Sequence, residues 1–567
     1  MERDAALKSI KLKNDIWNID LDYADRNNVS SLFKSEGNIH TYPAKAVPDM
    51  VHDLMSIIKD NYDIETVLDP FVGSGTVALE AKLLGLDFYG SDLNPLAILL
   101  ARTKALTIQG TPYVRDMLLS FGESLNEDNM RSKLYSVSHF KNIEYWFKEK
   151  NIEQLSYIKY KIDCFLKGSH ANYREIFSLI VLTAFSSTIR ESSLSRNDEF
   201  KLYRLSPNAI KNFNIDSIQV FSKKLSELLT MIKDTNDAMI NNSETQIFLS
   251  NAKNITYLQD KKVDLIITSP PYGDSQSTVA YGQFSRLSLQ WMSDLMAKYL
   301  KIETKNENCD EYLLGGKYSI EQYSKENADS IVASSKTLCD LINGIQNVIN
   351  TELRNLGASK KILIEFLKEL EKSDAQIDIK TLFDNKILSE LIKERIRLKI
   401  FRKNNENEKL EKKAIKNLTQ QQFEKFIGDL NKNDGKEYGK RIIEIYEILP
   451  NVQLAIERKM KHLPKRGKKI FDFFIDLYKV VGQCDGVLSE KGIQVWIVGH
   501  RTVLGELNVS LANILLEWFE NFKYDKVALI ERNCHFKRLP RRINSTITRN
   551  KGIETMGKEY VLIVQKK

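Results

Sequence analysis

Long apolar runs and paired cysteines are missing from this sequence. No hydrophobic stretch approaches the roughly 20 residues that a membrane-spanning helix needs, and Met1 to Asp4 begin no apolar signal segment. We therefore expect a cytoplasmic protein with no membrane partner. The five cysteines, at positions 164, 309, 339, 484 and 534, include no CxxC pair, which argues against a disulfide framework and a zinc site. Reduced thiols and no bound metal are the expectation.

The chain is long and modestly basic. Its 567 residues are too many for one compact core, so we expect roughly two to four domains or one domain with large insertions. The net charge of +8 suits a polyanionic partner without demanding one. Basic residues concentrate at 393–403 and 458–469. Glutamates compensate the first segment, for which a solvated helix face is an equally good interpretation, whereas the second has fewer acids nearby.

Two kinds of sequence alternate along the chain. Short apolar runs predict strands at 66–69, 88–91, 246–249, 263–268, 494–498, 526–530 and 560–564. Between them, lysine, glutamate, leucine and isoleucine at helical spacing predict helices. The predicted class is α/β, with one sheet assembled from 1–104, 246–300 and 476–567. Two large helical insertions, 105–245 and 301–475, interrupt these pieces.

A glycine-rich turn follows the first predicted strand. The segment Asp69–Thr76 reads DPFVGSGT, and its glycines allow a tight turn and the close approach of a ligand to the backbone. It is neither a GxGxxG dinucleotide fingerprint nor a Walker loop. Asp92 ends the next strand, where a carboxylate can accept hydrogen bonds from ribose hydroxyls. The two features together predict a site for an adenosyl cofactor.

A second motif, TSPPY at 268–272, follows the apolar run 263–267. Its two prolines remove two backbone donors and stiffen the turn, which leaves the Ser269 hydroxyl and the Pro270 carbonyl as fixed acceptors. Such acceptors can pull the hydrogens of an exocyclic base amine out of the ring plane and make its nitrogen nucleophilic. Tyr272 would then stack on a base rotated out of the duplex. A rigid turn with a buried tyrosine is the alternative if the motif stands alone.

Together with HTYPAK at 40–45, these two motifs resemble those of site-specific DNA amino-methyltransferases, the N-4/N-6 family. The resemblance covers 1–104, 246–296 and 480–567. It implies a Rossmann-like sheet and methyl transfer from S-adenosyl-L-methionine to a base amine in double-stranded DNA. Ser269 stands where most adenine-N6 enzymes have Asp or Asn, so cytosine N4 is the first expectation and adenine N6 the alternative.

The resemblance also assigns roles to residues. It implies catalysis by Ser269, Pro270, Pro271 and Tyr272. It implies cofactor binding by residues at three strand ends and the upstream segment, namely Tyr42, Pro43, Lys45, Asp69, Pro70, Phe71, Gly73, Ser74, Gly75, Thr76, Asp92, Asn94 and Asn251. Asn251 departs from the family, which often has an acidic residue after the third strand, although its side-chain oxygen can still accept a hydrogen bond.

Target recognition in this family usually resides in an inserted region. We expect 301–475 to bind DNA, and 105–245 is a second candidate. In the latter, hydroxyls alternate with Arg190, Arg196 and Arg204, as in contacts to phosphates and bases, although a polar loop explains the pattern equally well. The family further implies a restriction-modification system and a cognate restriction endonuclease as partner.

Two rival functions remain open. RNA amino-methyltransferases also combine a DPFxGxGT turn with a PPY element, but they usually carry Asp before the prolines. An inactive nucleic-acid-binding regulator would keep the fold without any need to keep both motifs intact.

Overall fold

The chain forms two compact units, residues 1–341 with 470–567 and residues 342–469. A computed structural model describes residues 15–17, 19, 21, 40–43, 46–107, 111–131, 134–197, 201–239, 243–271, 281–304, 309–317, 324–370, 379–405, 412–432, 435–533, 542–544, 552–554 and 557–567.

The first unit opens with alternating helices and strands. After a short 3-10 helix at Asp15–Trp17, these are α1 Pro48–Asn61, β1 Thr66–Asp69, α2 Thr76–Leu83, β2 Asp87–Asp92 and α3 Pro95–Lys104. Both α1 and α3 begin with proline, whose missing N–H costs no hydrogen bond at a helix start. The side chain of Asn94 caps α3 by accepting a bond from the backbone N–H of Leu96 at 3.1 Å.

Helices then occupy the first predicted insertion. They are α4 Thr111–Glu123, α5 Glu127–Arg131, α6 Ile143–Trp146, α7 Glu149–Gly168, α8 Ala171–Glu191, α9 Pro207–Lys211 and α10 Ser217–Ala238. Apolar residues of α8, such as Ile180 and Phe185, are fully buried in one core with Val67 of β1 and Phe88 of β2. The inserted helices therefore enlarge the core of the sheet and belong to the same unit.

The chain next returns to the sheet. The elements are β3 Thr245–Leu249, a 3-10 turn at Thr256–Leu258, β4 Val263–Thr268, α11 Tyr281–Leu300, a 3-10 turn at Cys309–Glu311 and α12 Lys325–Ala333. Further helices are α13 Lys336–Leu370, α14 Lys380–Asp384, α15 Lys386–Asn405, α16 Lys412–Asn431 and α17 Gly435–Val487. The last elements are β5 Leu488–Gly499, β6 Arg501–Val503, β7 Leu507–Val509, α18 Leu511–Asn521, β8 Tyr524–Asn533, β9 Arg542–Asn544, β10 Gly552–Glu554 and β11 Lys558–Lys566.

The main sheet has seven strands in the order β3-β2-β1-β4-β5-β11-β8. The strands from β3 to β5 are mutually parallel, and β11 is antiparallel to both of its neighbours. Nearly every residue of β4 and of the second half of β5 is buried, as expected for strands covered on both faces. This is the α/β, Rossmann-like methyltransferase sheet that the sequence predicted.

The strand order reverses at one point. From β1 the chain proceeds outward through β2 to β3, and then crosses to the other side of β1 to form β4. In open α/β sheets, ligands bind in the crevice at the carboxyl ends of the two strands that flank such a switch point. Here those ends are Asp69 and Thr268, which begin the two motifs.

The second unit is helical within the residues that the structure describes. Its core is formed by apolar side chains of α13 to α17, including Leu363, Leu388, Phe426, Ile445 and Ile456. Two prolines, Pro450 and Pro464, lie inside α17. The unit is shorter than the predicted insertion 301–475, because residues 301–341 and 470–475 belong to the first unit.

No helix in the described ranges is long and apolar enough to cross a membrane.

Candidate functional site

The glycine-rich turn joins β1 to α2 in a conformation that needs glycine. Gly75 has φ +80°, and a Cβ atom on it would lie 2.6 Å from the Cα of Ala101 in α3. Gly73 also has a positive φ, +51°, but the nearest atoms to its Cβ position, including Tyr42 Cε1, are 3.8 Å away. Gly75 is therefore required by packing, whereas at Gly73 a Cβ atom would make only ordinary contacts with Phe71 and Tyr42.

The carboxylate of Asp92 holds this turn against the end of β2. Its two oxygens accept bonds from the backbone N–H groups of Gly73 at 3.0 Å and Asn94 at 2.8 Å. Burial raises the pKa of Asp92 to about 6, although the backbone donors favour its charged form. A carboxylate offers about four lone-pair directions, so Asp92, with backbone donors from Gly73, Leu93 and Asn94, can still accept a hydrogen bond from a ligand.

Asp69 links the two motifs across 199 positions of sequence. Its Oδ1 accepts bonds from the Thr268 hydroxyl at 2.6 Å and from the backbone N–H of Phe71 at 3.0 Å. Burial, with a smaller contribution from the negative charge of Asp92, raises the pKa of Asp69 to about 7, although the bonds from Thr268 and Phe71 lower it. The residue directly before Ser269 is thus anchored to the first residue of the glycine-rich motif.

The Ser-Pro-Pro turn itself is described only in part. Ser269 is half-buried, Pro270 is buried and Pro271 is half-buried, directly after β4. Tyr272 lies outside the described residues, as does Lys45 of the upstream segment.

Tyr42 and Asn94 bring the upstream segment to the same edge of the sheet. The side-chain amide of Asn94 donates to the Tyr42 hydroxyl at 3.1 Å and to the Ser285 hydroxyl at 2.7 Å. The ring of Tyr42 packs edge-on against Phe284, with ring centroids 5.8 Å apart. Burial raises the pKa of Tyr42 well above its usual range, so its hydroxyl stays neutral and can donate. Pro43 is also buried.

Two residues of α11 therefore complete the site, Phe284 and Ser285. The start of that helix is fixed by Asp310, whose carboxylate accepts bonds from the backbone N–H groups of Gly282 at 2.7 Å and Gln283 at 3.2 Å. A capping carboxylate that lies 28 residues after Gly282 gives no recognisable sequence signal. Sequence reasoning missed Asp310 for that reason.

Asn251 lies at the end of β3, next to the site. The backbone N–H of Ser250 donates to the carbonyl of Asp92 at 3.1 Å, and the Asn251 side chain accepts from the backbone N–H of Lys253 at 3.0 Å. Lys253 in turn forms a buried ion pair with Asp476 at 2.8 Å. These hydrogen bonds and the buried ion pair therefore fix the loop after β3 beside the end of β2.

An aromatic pair beside this loop was also missed. The rings of Phe248 and Tyr257 stack with centroids 4.6 Å apart, and the Tyr257 hydroxyl donates to Ser91 at 3.1 Å. Both side chains are half-buried. A lone aromatic residue in a strand is usually a core residue, so the sequence held no signal for this pair.

The three arginines expected to contact DNA have different surroundings. Arg190 lies in the last turn of α8, is 9% exposed, and stacks on Phe284 with its guanidinium carbon 4.0 Å from the ring centroid. Burial lowers its pKa to about 10. The structure thus places Arg190 inside the protein and not at the surface position that a phosphate contact requires, because the polar end of α8 is packed against α11.

Arg196 and Arg204 are both half-buried, and an isolated antiparallel bridge joins Ser195 to Arg204. The guanidinium of Arg204 lies 4.3 Å from the centroid of Tyr145, and that of Arg196 lies 5.9 Å from Tyr203. Both tyrosines are nearly half exposed. Arginine and aromatic side chains are thus interleaved at this surface.

No group of three or more metal-ligating side chains occurs within the part of the chain that the structure describes.

The parallel strands, the switch point and the two motifs that meet there define a Rossmann-like methyltransferase domain. The model of the D12 class N6 adenine-specific DNA methyltransferases matches residues 49–339, just over half of the chain. The chain belongs to this family.

Two curated relatives are similar to parts of the chain. The type II methyltransferase M.MvaI of Kocuria varians is 35% identical over 292 residues, which are 49% of this chain and 61% of the relative. The type II methyltransferase M.BsoBI of Geobacillus stearothermophilus is 25% identical over 236 residues, which are 37% of this chain and 44% of the relative. The chain thus matches less than two thirds of the length of either relative. No solved structure is significantly similar to it.

Proposed function

We propose that the protein methylates an exocyclic amino group of a base in double-stranded DNA, with S-adenosyl-L-methionine as methyl donor. The observation that carries the proposal is the hydrogen bond between Asp69 and Thr268, which joins the glycine-rich turn to the Ser-Pro-Pro turn at the switch point of the sheet. A cofactor site and a set of acceptors for an amine are thereby held at one edge of the sheet.

The residues present fit an adenosyl sulfonium cofactor. Asp69 and Asp92 are close enough to raise the pKa of Asp69, and neither forms an ion pair within the described ranges. A ligand with positive charge would relieve this repulsion and favour both charged forms. The remaining lone pairs of Asp92 suit the hydroxyls of a ribose, and the missing side chain of Gly73 would let a ligand approach the backbone beside Tyr42.

We propose that residues at these strand ends bind the cofactor. Asp92 would accept from the ribose, and Gly73 and Tyr42 would form the floor and wall of the pocket. Asn251, with Ser250 bound to the Asp92 carbonyl, would face the base of the cofactor. When bound, the cofactor supplies an electrophilic methyl group.

In the proposed reaction, the protein's own residues orient the amine. The Ser269 hydroxyl and the Pro270 carbonyl would accept hydrogen bonds from the two N–H groups of the amine and direct the nitrogen lone pair out of the base plane. The prolines fix these acceptors, and the bond from Thr268 to Asp69 fixes the strand end that carries them. Tyr272 is proposed to stack on the flipped base.

The target base has two candidates. The description of the family as N6 adenine-specific favours adenine N6. Serine before the two prolines favours cytosine N4, which was the first expectation from the sequence. We place adenine first, because a model that matches half of the chain weighs more than one residue.

The proposed role is modification of a specific DNA site, as part of a restriction-modification system. The names of the two relatives, both type II methyltransferases, support this role. A restriction endonuclease that acts on the same site is the partner that such a system requires. Arg196 and Arg204, with the exposed tyrosines beside them, are proposed to contact the DNA.

The experiment is transfer of label from tritiated S-adenosyl-L-methionine to unmethylated genomic DNA and, in a parallel reaction, to total RNA, followed by digestion to nucleosides and their separation. Label in N6-methyladenine supports the first candidate, and label in N4-methylcytosine replaces it with the second. Label in RNA but not in DNA would overturn the proposed substrate. No label in either, from folded protein that binds DNA, would instead support an inactive regulator.

A further inference from the structure

The second unit carries the positive charge of the chain. Residues 342–469 contain 29 Lys and Arg against 19 Asp and Glu, a net charge of +10, whereas the rest of the chain contains 54 against 56, a net charge of −2. The unit that holds Asp69 and Asp92 is therefore close to neutral. A polyanion is attracted mainly to the helical unit.

Within that unit, one helix concentrates unbalanced charge. Between Glu457 and Asp472 the sequence contains seven Lys or Arg residues and no acidic residue. Arg458, Lys461 and Lys465 lie three or four positions apart on α17, so they share one face of the helix, and all three are exposed. We call these three residues the basic stripe; it extends over about 10 Å at 1.5 Å per residue.

The opposite face of this helix segment is fixed by packing. Val452 and Ile456 are fully buried, and a Cβ atom on Gly467 would lie 2.4 Å from Ile349 of α13. Because α17 is held by this face, the basic stripe stays directed outward.

The basic stripe also differs from other lysines of the unit in having no acidic partner. Lys361, Lys399 and Lys440 pair with Glu365, Glu447 and Glu437. Within the described part of the chain, the head groups of Arg458, Lys461 and Lys465 form no ion pair or hydrogen bond. Positive side chains that are not already paired within the protein can neutralise phosphates and so release the counterions that are bound to a polyanion.

We propose that the basic stripe of α17 binds the phosphate backbone of duplex DNA and supplies most of the sequence-independent affinity of the protein for DNA. This inference rests on the proposed function for the identity of the polyanion. Duplex DNA presents about one negative charge per 1.7 Å of axis, so a row of three cations can meet successive phosphates. The near-neutral unit then needs to contribute little to the affinity of the protein for DNA.

The test compares two variants of the full chain with the same change of net charge. R458Q/K461Q/K465Q removes the stripe, and K361Q/K399Q/K440Q removes three paired lysines of the same unit. Binding to a labelled duplex is measured by fluorescence anisotropy from about 50 to 200 mM salt. The stripe variant is expected to bind at least about tenfold more weakly, with a slope of log K against log salt reduced by about 2.7 for three lost contacts. The control should change the slope far less.

Three outcomes separate this inference from the proposed function. Equal slopes for both variants would overturn it, whether or not the protein methylates DNA. Loss of DNA binding in the stripe variant alone, with recovery in R458K/K461R/K465R, would support it even if no methyl transfer occurred. Stripe-dependent binding of duplex RNA in preference to DNA would overturn the choice of partner. Circular dichroism should show equal helix content for all variants.

Discussion

The two glycines of the turn after β1 provide the sharpest test of the site, because the structure gives them different reasons to be glycine. At Gly75, alanine would hold a left-handed conformation, at a cost of about 1–2 kcal/mol, and its Cβ would lie 2.6 Å from Ala101 Cα. Relief of that overlap costs a further 1–3 kcal/mol or so. Gly75→Ala is therefore expected to lower the free energy of unfolding by about 2–5 kcal/mol in total.

At Gly73, only the first of these costs applies, because the nearest atoms to the added Cβ are 3.8 Å away. Gly73→Ala should cost about 1–2 kcal/mol of stability. It should nevertheless weaken cofactor binding clearly, because the methyl group enters the space over the backbone beside Tyr42. The two variants are thus expected to separate stability from binding.

The assay is urea unfolding for stability and calorimetric titration with S-adenosyl-L-homocysteine for binding. Gly168→Ala is the matched control in the same unit, since a Cβ there meets nothing within 4 Å. It should leave both measurements nearly unchanged. If Gly75→Ala proves no less stable than Gly73→Ala, the packing argument is wrong. If Gly73→Ala binds the cofactor normally, the pocket does not lie over that residue.

The remaining predictions concern the charged and catalytic groups of the site. Ser269→Ala should lower kcat by about 100-fold or more while calorimetry shows unchanged cofactor affinity, and an unaltered rate would count against its role; the exposed Ser226→Ala is the control. Asp92→Ala should weaken cofactor affinity, since two backbone donors and the ribose lose their acceptor. Because the pKa of Asp69 is raised to about 7 from 3.8, its contribution to stability is full below about pH 4 and is lost as the pH rises to about 7. Denaturant unfolding of Asp69→Asn should show a smaller decrease over that range than the wild type, and parallel curves would refute the assignment.

Several features of this protein follow from the sequence alone. The strands at 66–69 and 263–268 were predicted to the residue, the runs at 88–91 and 560–564 are confirmed as the centres of β2 and β11, and the run at 494–498 is confirmed as part of the second half of β5. Alternation of apolar residues and turn-forming residues is a local property, so it can be recognised without the fold. The glycine-rich turn and the Ser-Pro-Pro turn were found for the same reason.

Other features were decided only by the tertiary structure. The bond between Asp69 and Thr268 joins residues 199 positions apart, and no local pattern predicts that β4 pairs with β1 instead of β3. A contact surface was one of two interpretations of the hydroxyl-rich end of α8, yet Ser186 and Arg190 are buried there in contact with Ser288 and Phe284 of α11. Composition shows that hydroxyls and a guanidinium are present, but burial depends on which helix covers them.

The distribution of charge has the same dependence. The sequence by itself determines a net charge of +8, two basic segments and the chemistry of the two motifs. Only the division into units shows that the charge belongs to residues 342–469, and only the helix packing shows that Lys360 pairs with Glu457 and Lys399 with Glu447. The physical reason is that burial and ion pairs between helices depend on distances between elements far apart in sequence, whereas helices, strands and turns depend on neighbours.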